Sequence, residues 1–138
     1  MPSPASRPTD RPAARPDHRP RIGALGERLA RRHLERRGFA ILEHGLRTRW
    51  GEIDLIAHDG RTLVFCEVKT RRATTAEVAP WTSLHERKQQ QVRRLASAWL
   101  ATERRDRPPA EEVRFDAIAV LVDERDRLLR LDHLEGAF

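Results

Sequence analysis

A chain of 138 residues, 38% of them apolar and with a formal charge of +6, is sized for one domain with a modest core. No apolar run reaches the ~18 residues of a membrane span, no apolar stretch marks a secretory leader, and the one cysteine, Cys66, allows neither an internal disulfide nor a cysteine-rich zinc cluster; the expected setting is cytoplasmic, with no membrane. Half of the charge, +3, lies in residues 1–21, so the remainder is only mildly basic, which permits contact with a phosphate backbone without requiring it.

Residues 1–21 repeat Arg-Pro every four positions, at Arg7-Pro8, Arg11-Pro12, Arg15-Pro16 and Arg19-Pro20. Recurrent proline removes backbone donors and excludes helix, which predicts an extended, disordered tail over 1–21 and a folded domain over 22–138. From Ile22 to Arg37 the apolar residues Ile22, Leu25, Leu29, Ala30 and Leu34 recur at helical spacing, and Gly38 stands where a C-terminal cap belongs. "FAILEHGLR", "EIDLIA" and "TLVFCEVKT" predict three strands, the last two joined by Asp59-Gly60, a strong two-residue hairpin signal. Ser83 and Glu86 have capping-box spacing and open a second helix to about Ala101; "EVRFDAIAVLV" and "RLLRLDHL" supply two final strands. The order α-β-β-β-α-β-β predicts an α/β fold, a mixed sheet flanked by helices.

A turn at Asp59-Gly60 pairs residues whose numbers sum to 119. One face of the hairpin then carries Glu52, Asp54, Ile56 and His58 against Glu67, Phe65, Leu63 and Arg61, with Lys69 following; the other carries Ile53, Leu55 and Ala57 against Cys66, Val64 and Thr62. In this register Glu52 opposes Glu67 directly and Asp54 lies diagonal to it, roughly 5–8 Å away. Like charges so placed destabilise a sheet and raise one another's pKa. One lysine cannot neutralise three carboxylates, whereas a divalent cation that prefers hard oxygen ligands can. Lys69 on the same face sets an ammonium beside the ion, an arrangement able to hold a water and a phosphate oxygen together. Glu27 flanks the apolar stripe of the first helix, and Lys88 interrupts an otherwise apolar row of Leu84, Val92, Leu95 and Trp99 on the second. Lys69 and Lys88 are the only lysines beside twenty-five arginines; sites that keep lysine in such a background call for a compact ammonium that a planar guanidinium does not replace.

The stretches "GALGERLARRHLERRGFAIL", "RTRWGEIDLIAHDGRTLVFCEVKTRR", "KQQQVRRLASAWL", "RFDAIAV" and "HLEGAF" resemble the YraN family of small bacterial proteins. That family is similar to archaeal Holliday-junction resolvases within the PD-(D/E)xK nuclease superfamily. The resemblance runs from about Ile22 to Phe138 and implies a restriction-endonuclease-like core. It puts the acid that opens the superfamily motif on Asp54, the Glu-x-Lys on Glu67, Val68 and Lys69, and the helical acid of resolvase-like members on Glu27. It further implies that Asp54, Glu67 and the Val68 carbonyl bind Mg²⁺, for which Mn²⁺ would substitute, that Glu27 completes this shell, and that Lys69 orients the attacking water. Glu52 is an accessory candidate from the hairpin register. Where the family often has Asn before its R-x-R-x-GE segment this chain has Gly45, a change expected to weaken a substrate contact.

Together these readings predict a metal-dependent endonuclease acting on DNA phosphodiesters, with branched or recombination intermediates as candidate substrates and a homodimer as one arrangement. Arg47, Arg49, Arg71 and Arg72 flank the motif strands and, with Lys88, are the candidate backbone contacts. The rival expectation is a non-catalytic nucleic-acid-binding module on the same fold; unpaired buried carboxylates argue against it.

Overall fold

The computed structural model of the chain describes residues 18–75, 85–102 and 109–138. In chain order the elements are α1 (His18–Arg36), β1 (Ala40–Thr48), β2 (Gly51–His58), β3 (Thr62–Arg72), α2 (Glu86–Ala101), β4 (Glu112–Val122) and β5 (Leu128–Leu134). The strands form one five-stranded sheet in the order β1-β2-β3-β4-β5, antiparallel everywhere except β3 with β4, which are parallel. A parallel neighbour requires a crossover, and α2 lies in the connection between these two strands. No helix among the described residues is long and apolar enough to cross a membrane.

Near-continuous apolar runs in β2, β3 and β4 reflect burial on both faces. On one face Ala30 and Leu34 of α1 pack with Leu55, Ala57, Val64, Cys66, Ile118 and Val120. On the other, Leu95, Ala96 and Trp99 of α2 pack with Ile53, Ile56, Leu63 and Phe65. Cys66 is a fully buried member of the first cluster, and burial pushes its thiol pKa well up, as suits an apolar core role. This mixed sheet with helices on both faces is the expected α/β architecture, consistent with a restriction-endonuclease-like fold.

α1 starts at His18, four residues before the apolar periodicity, and so includes Pro20. A proline in the first turn forfeits no intrahelical bond, because the first N–H groups of a helix have no partner. The rest of the expected tail, residues 1–17, lies outside the described residues. The other end of α1 is closed as predicted around Gly38: the Phe39 N–H donates to Leu34 O and the Gly38 N–H to Glu35 O, both at 3.0 Å, the pair of bonds of a Schellman cap. α2 starts at Glu86, and His85 before it makes no side-chain cap; the expected capping Ser83 lies outside the described residues.

The β2–β3 turn differs from expectation by one position. The Asp59 N–H donates to Thr62 O at 3.3 Å, which centres the turn on Gly60-Arg61 rather than Asp59-Gly60. The Asp59 carboxylate causes the move by accepting the Arg61 and Thr62 N–H groups at 2.9 and 2.7 Å. Opposed residues therefore sum to 121, as in Leu55↔Cys66 and His58↔Leu63. A slide of two residues keeps the paired residues, Leu55 to His58 and Leu63 to Cys66, on their predicted faces but moves every cross-strand partner.

α1 approaches β3 closely because position 26 is glycine. A Cβ there would fall inside the Thr70 side chain. Gly26→Ala is expected to destabilise the fold by ~1–3 kcal/mol through overpacking, and adding Thr70→Ala should recover most of that in a urea unfolding titration. Equal stability of Gly26→Ala and the parent would show that α1 does not rest on Thr70.

Candidate metal centre

β2 pairs with β3 only as far as Leu55↔Cys66, and beyond that it follows β1 through Leu46↔Ile53 and Arg47↔Glu52. Where the ladder ends, a side chain replaces it: the Val68 N–H donates to Asp54 Oδ2 at 2.8 Å. One more step of the register brings Asp54 beside Glu67, so Asp54 and not Glu52 is Glu67's cross-strand neighbour. The parting also rolls β2. Ile53 packs on the α2 face although Leu55 and Ala57, which alternation puts with it, pack under α1. Freed from β3, this end of β2 brings Glu52 and Asp54 to Glu27 on α1; the three carboxylates each offer one oxygen within 4.8 Å of the others.

Burial makes this cluster costly. Glu67 is pushed up to about 8, first by burial and then by the Asp54 charge, against the pull of Lys88, whose Nζ lies 3.4 Å from Glu67 Oε1. Asp54 is raised by burial and by Glu52, with the Val68 N–H pulling the other way. Burial and Asp54 raise Glu27 as well, partly offset by His44, 3.5 Å away, and Arg31. Glu67 Oε2 is buried with no hydrogen-bond donor among the described residues. The Asp54 carboxyl beside it can serve as partner only when one of the two carries a proton, or when a cation lies between them.

The predicted site residues divide accordingly. Glu27, Glu52 and Asp54 come together, and Glu67 joins them through Asp54 alone. Val68 presents its C=O to the same edge as its N–H, as any strand residue does, and hence to the gap left by β2. Lys69 is half-buried on β3, two positions beyond Glu67. Lys88 is engaged with Glu67, so its ammonium is part of the acid cluster. Arg47 is exposed and 3.8 Å from Glu52, Arg49 lies over the Trp50 ring, and Arg71 is exposed at the end of β3. Arg72 does not fit a backbone-contact role: its Nη1 donates to Asp123 O and Asp126 Oδ1, tying β3 to the β4–β5 turn.

Gly45 is better explained by conformation than by a lost contact. The register places it beside Asp54, and its φ of +59° is left-handed backbone, which Gly and Asn adopt most readily. Residues not singled out from the sequence also flank the cluster: Arg28, Arg31, Arg32 and His44 line a cavity of about 430 Å³ between α1 and β1. The spacing of the three arginines on one helix was the available signal, hidden by the abundance of arginine elsewhere.

The family profile described as "Uncharacterised protein family UPF0102" matches residues 26–120. A UPF0102 protein of Parafrankia sp. (strain EAN1pec) is 45% identical over 118 residues, covering 86% of this chain and 96% of its own. One from Nocardia farcinica (strain IFM 10152) is 42% identical over 121 residues, covering 85% and 88%. One from Streptomyces griseus subsp. griseus is 46% identical over 104 residues, covering 75% and 85%.

Proposed function

The chain belongs to the UPF0102 family, the YraN family of the sequence resemblance, and we propose that it is a metal-dependent endonuclease hydrolysing DNA phosphodiesters, with branched or recombination intermediates as substrates. The observation that carries this reading is the orphaned Glu67 Oε2, buried beside Asp54, whose own carboxylate gathers with those of Glu27 and Glu52. A stable fold gains nothing from like charges held at a sheet end, whereas a divalent cation gives each of them a partner.

The donor set fits Mg²⁺ or Mn²⁺. Oxygen ligands of Mg²⁺ lie ~2.1 Å from the ion, so opposite ligands are ~4.2 Å apart, and the carboxylate oxygens of Glu27, Glu52 and Asp54, within 4.8 Å of one another, need only slight closure to share one. Asp54, Glu67 and the Val68 carbonyl would hold the ion, with Glu27 and Glu52 completing or adjusting the shell. Once bound, such an ion polarises a phosphoryl oxygen and lowers the pKa of its water. Asp54 is oriented for this by the Val68 N–H, and Lys88 fixes one oxygen of Glu67 while the other remains available. Lys69 would place its ammonium against the charge that develops on the phosphoryl oxygens. Arg28, Arg31 and Arg32 on one side, and Arg47 and Arg49 on the other, would hold the flanking backbone.

The test is a panel of four-way junction, flap, duplex and single-stranded DNA incubated with Mg²⁺ or Mn²⁺, beside Asp54→Ala. Cleavage should require the metal and vanish in the variant. Lys69→Arg should keep DNA affinity yet lower single-turnover cleavage by ~10²-fold or more, the scale of losing one positioned transition-state donor. Binding without cleavage by the wild type in either metal would favour the non-catalytic module instead.

A further inference from the structure

Two residues before Glu52, the tip of the β1–β2 hairpin carries Trp50, which is 63% exposed, the most exposed large apolar residue among the described residues. An indole so placed loses hydrophobic stabilisation, and the surroundings do not treat it as a loose end. The Thr48 hydroxyl accepts the Trp50 N–H at 3.0 Å and donates to Gly51 O at 3.0 Å, which fixes the turn. From α2, Gln91 Nε2 donates to Trp50 O at 2.9 Å and anchors the tip. Arg49 lays its guanidinium 4.5 Å from the ring centroid, a cation–π contact. Beside the ring opens a cavity of about 390 Å³, lined by Trp50, Arg87, Gln90, Gln91, Arg94 and Leu95.

We propose that Trp50 and this cavity form a stacking site for an unpaired nucleobase, with Arg87 and Arg94 holding the adjoining phosphates and the Gln90 amide available to the base edge. The inference rests on the nuclease reading above and specifies its substrate: DNA with at least one unstacked nucleotide next to the bond to be cut. An exposed aromatic face with cations on both sides suits a single strand, because every base has a π-face and every nucleotide a phosphate. Duplex DNA hides those faces in its own stack. Position supports the same ligand. Trp50 lies two residues before Glu52, in the turn that leads into β2. α2 also connects the two places directly, because Lys88 engages Glu67 and Gln91, one turn on, engages Trp50. A strand stacked at Trp50 therefore passes its next phosphates toward the acid cluster.

The experiment compares wild type, Trp50→Phe and Trp50→Ala in full-length protein, with a single-stranded oligothymidylate of about ten nucleotides and a blunt duplex of equal length, titrated in EDTA. Trp50→Ala should bind the single strand ~10-fold or more weakly, the scale of one lost stacked base, with under about 2-fold change for the duplex and no change in melting temperature. Trp50→Phe, which keeps an aromatic face, should recover most of the affinity. Tryptophan fluorescence should be quenched by the single strand in wild type and much less in Trp50→Phe. Equal losses on both DNAs, or none on either, would overturn the stacking site even if metal-dependent cleavage is observed. Conversely, selective loss on the single strand in a protein that cleaves nothing would uphold this site and defeat the nuclease reading.

Discussion

Replacing Glu67 by Gln is expected to stabilise the metal-free protein at pH 8, by ~3–5 kcal/mol. Each pKa unit corresponds to ~1.36 kcal/mol, and burial together with Asp54 raises this carboxyl from an ordinary 4.5 to about 8. The sign follows from proton uptake. Between those two values the folded state binds more protons at this position than the unfolded chain does, so stability falls as pH rises through the interval. The penalty is absent below about 4.5 and complete above about 8. A glutamine cannot ionise, and its amide can donate to Asp54, so the variant loses this slope. Glu27 and Asp54, both raised, leave a smaller residual one. Urea unfolding in EDTA at several pH values from 5 to 8 reads the effect directly. Parallel pH profiles for the two proteins would mean that Glu67 is ordinarily solvated and that the cluster stores no repulsion.

The second large effect centres on β4, one strand over from Glu67. Asp116 on β4 is fully buried, and its carboxylate accepts from Arg114 Nε and Nη2 at 2.8 and 2.9 Å and from the Gly136 N–H at 3.0 Å; His133 Nε2 lies 2.8 Å away. Burial alone would raise its pKa; the bonds from His133, Arg114 and Gly136 outweigh this and hold it below the usual value. The stability this contributes is present above the ordinary carboxylate range and is lost as pH falls through the depressed pKa. Asp116→Ala leaves a guanidinium, an imidazole and a backbone donor short of a partner, and should destabilise the fold by ~3–5 kcal/mol. Asp116→Asn keeps part of the acceptor set and should lose less, ~1–3 kcal/mol. Denaturant midpoints for both variants test this ordering, and a loss below ~1 kcal/mol for the alanine variant would remove the network from the account of stability.

How far such features could be read in advance depended on the range of the interaction that fixes each. β3 and β4 were legible because burial on both faces writes itself into consecutive residues, Leu63 to Cys66 and Ala117 to Val122. The nearness of Asp54 to Glu67 was legible in the hairpin, and that of Glu27 to Asp54 through the family resemblance. The hairpin register was misplaced because one side chain, Asp59, captured two N–H groups and outbid the Asp-Gly turn preference. The roll at Ile53 was invisible, since alternation assumes that both neighbouring strands stay paired. Asp116 was not singled out; its partners His133 and Gly136 are 17 and 20 residues away, and nothing local announces them. Trp50 was passed over because exposure is a property of the folded hairpin and not of the residues around it.

His133 also reaches back to α1, where His33 Nε2 lies 3.0 Å from its Nδ1 across 100 residues of sequence. α1 is synthesised well before β5, yet the helix takes its final seat against both β3 and β5. Contacts of such separation form late, because the chain between them must be closed first. On a ribosome, where the chain grows at roughly 5–20 residues per second, α1 has to wait several seconds for the strand that holds His133. Glu27 rides on that helix, six residues from His33, so the acid cluster would reach its final geometry only once β5 is in place.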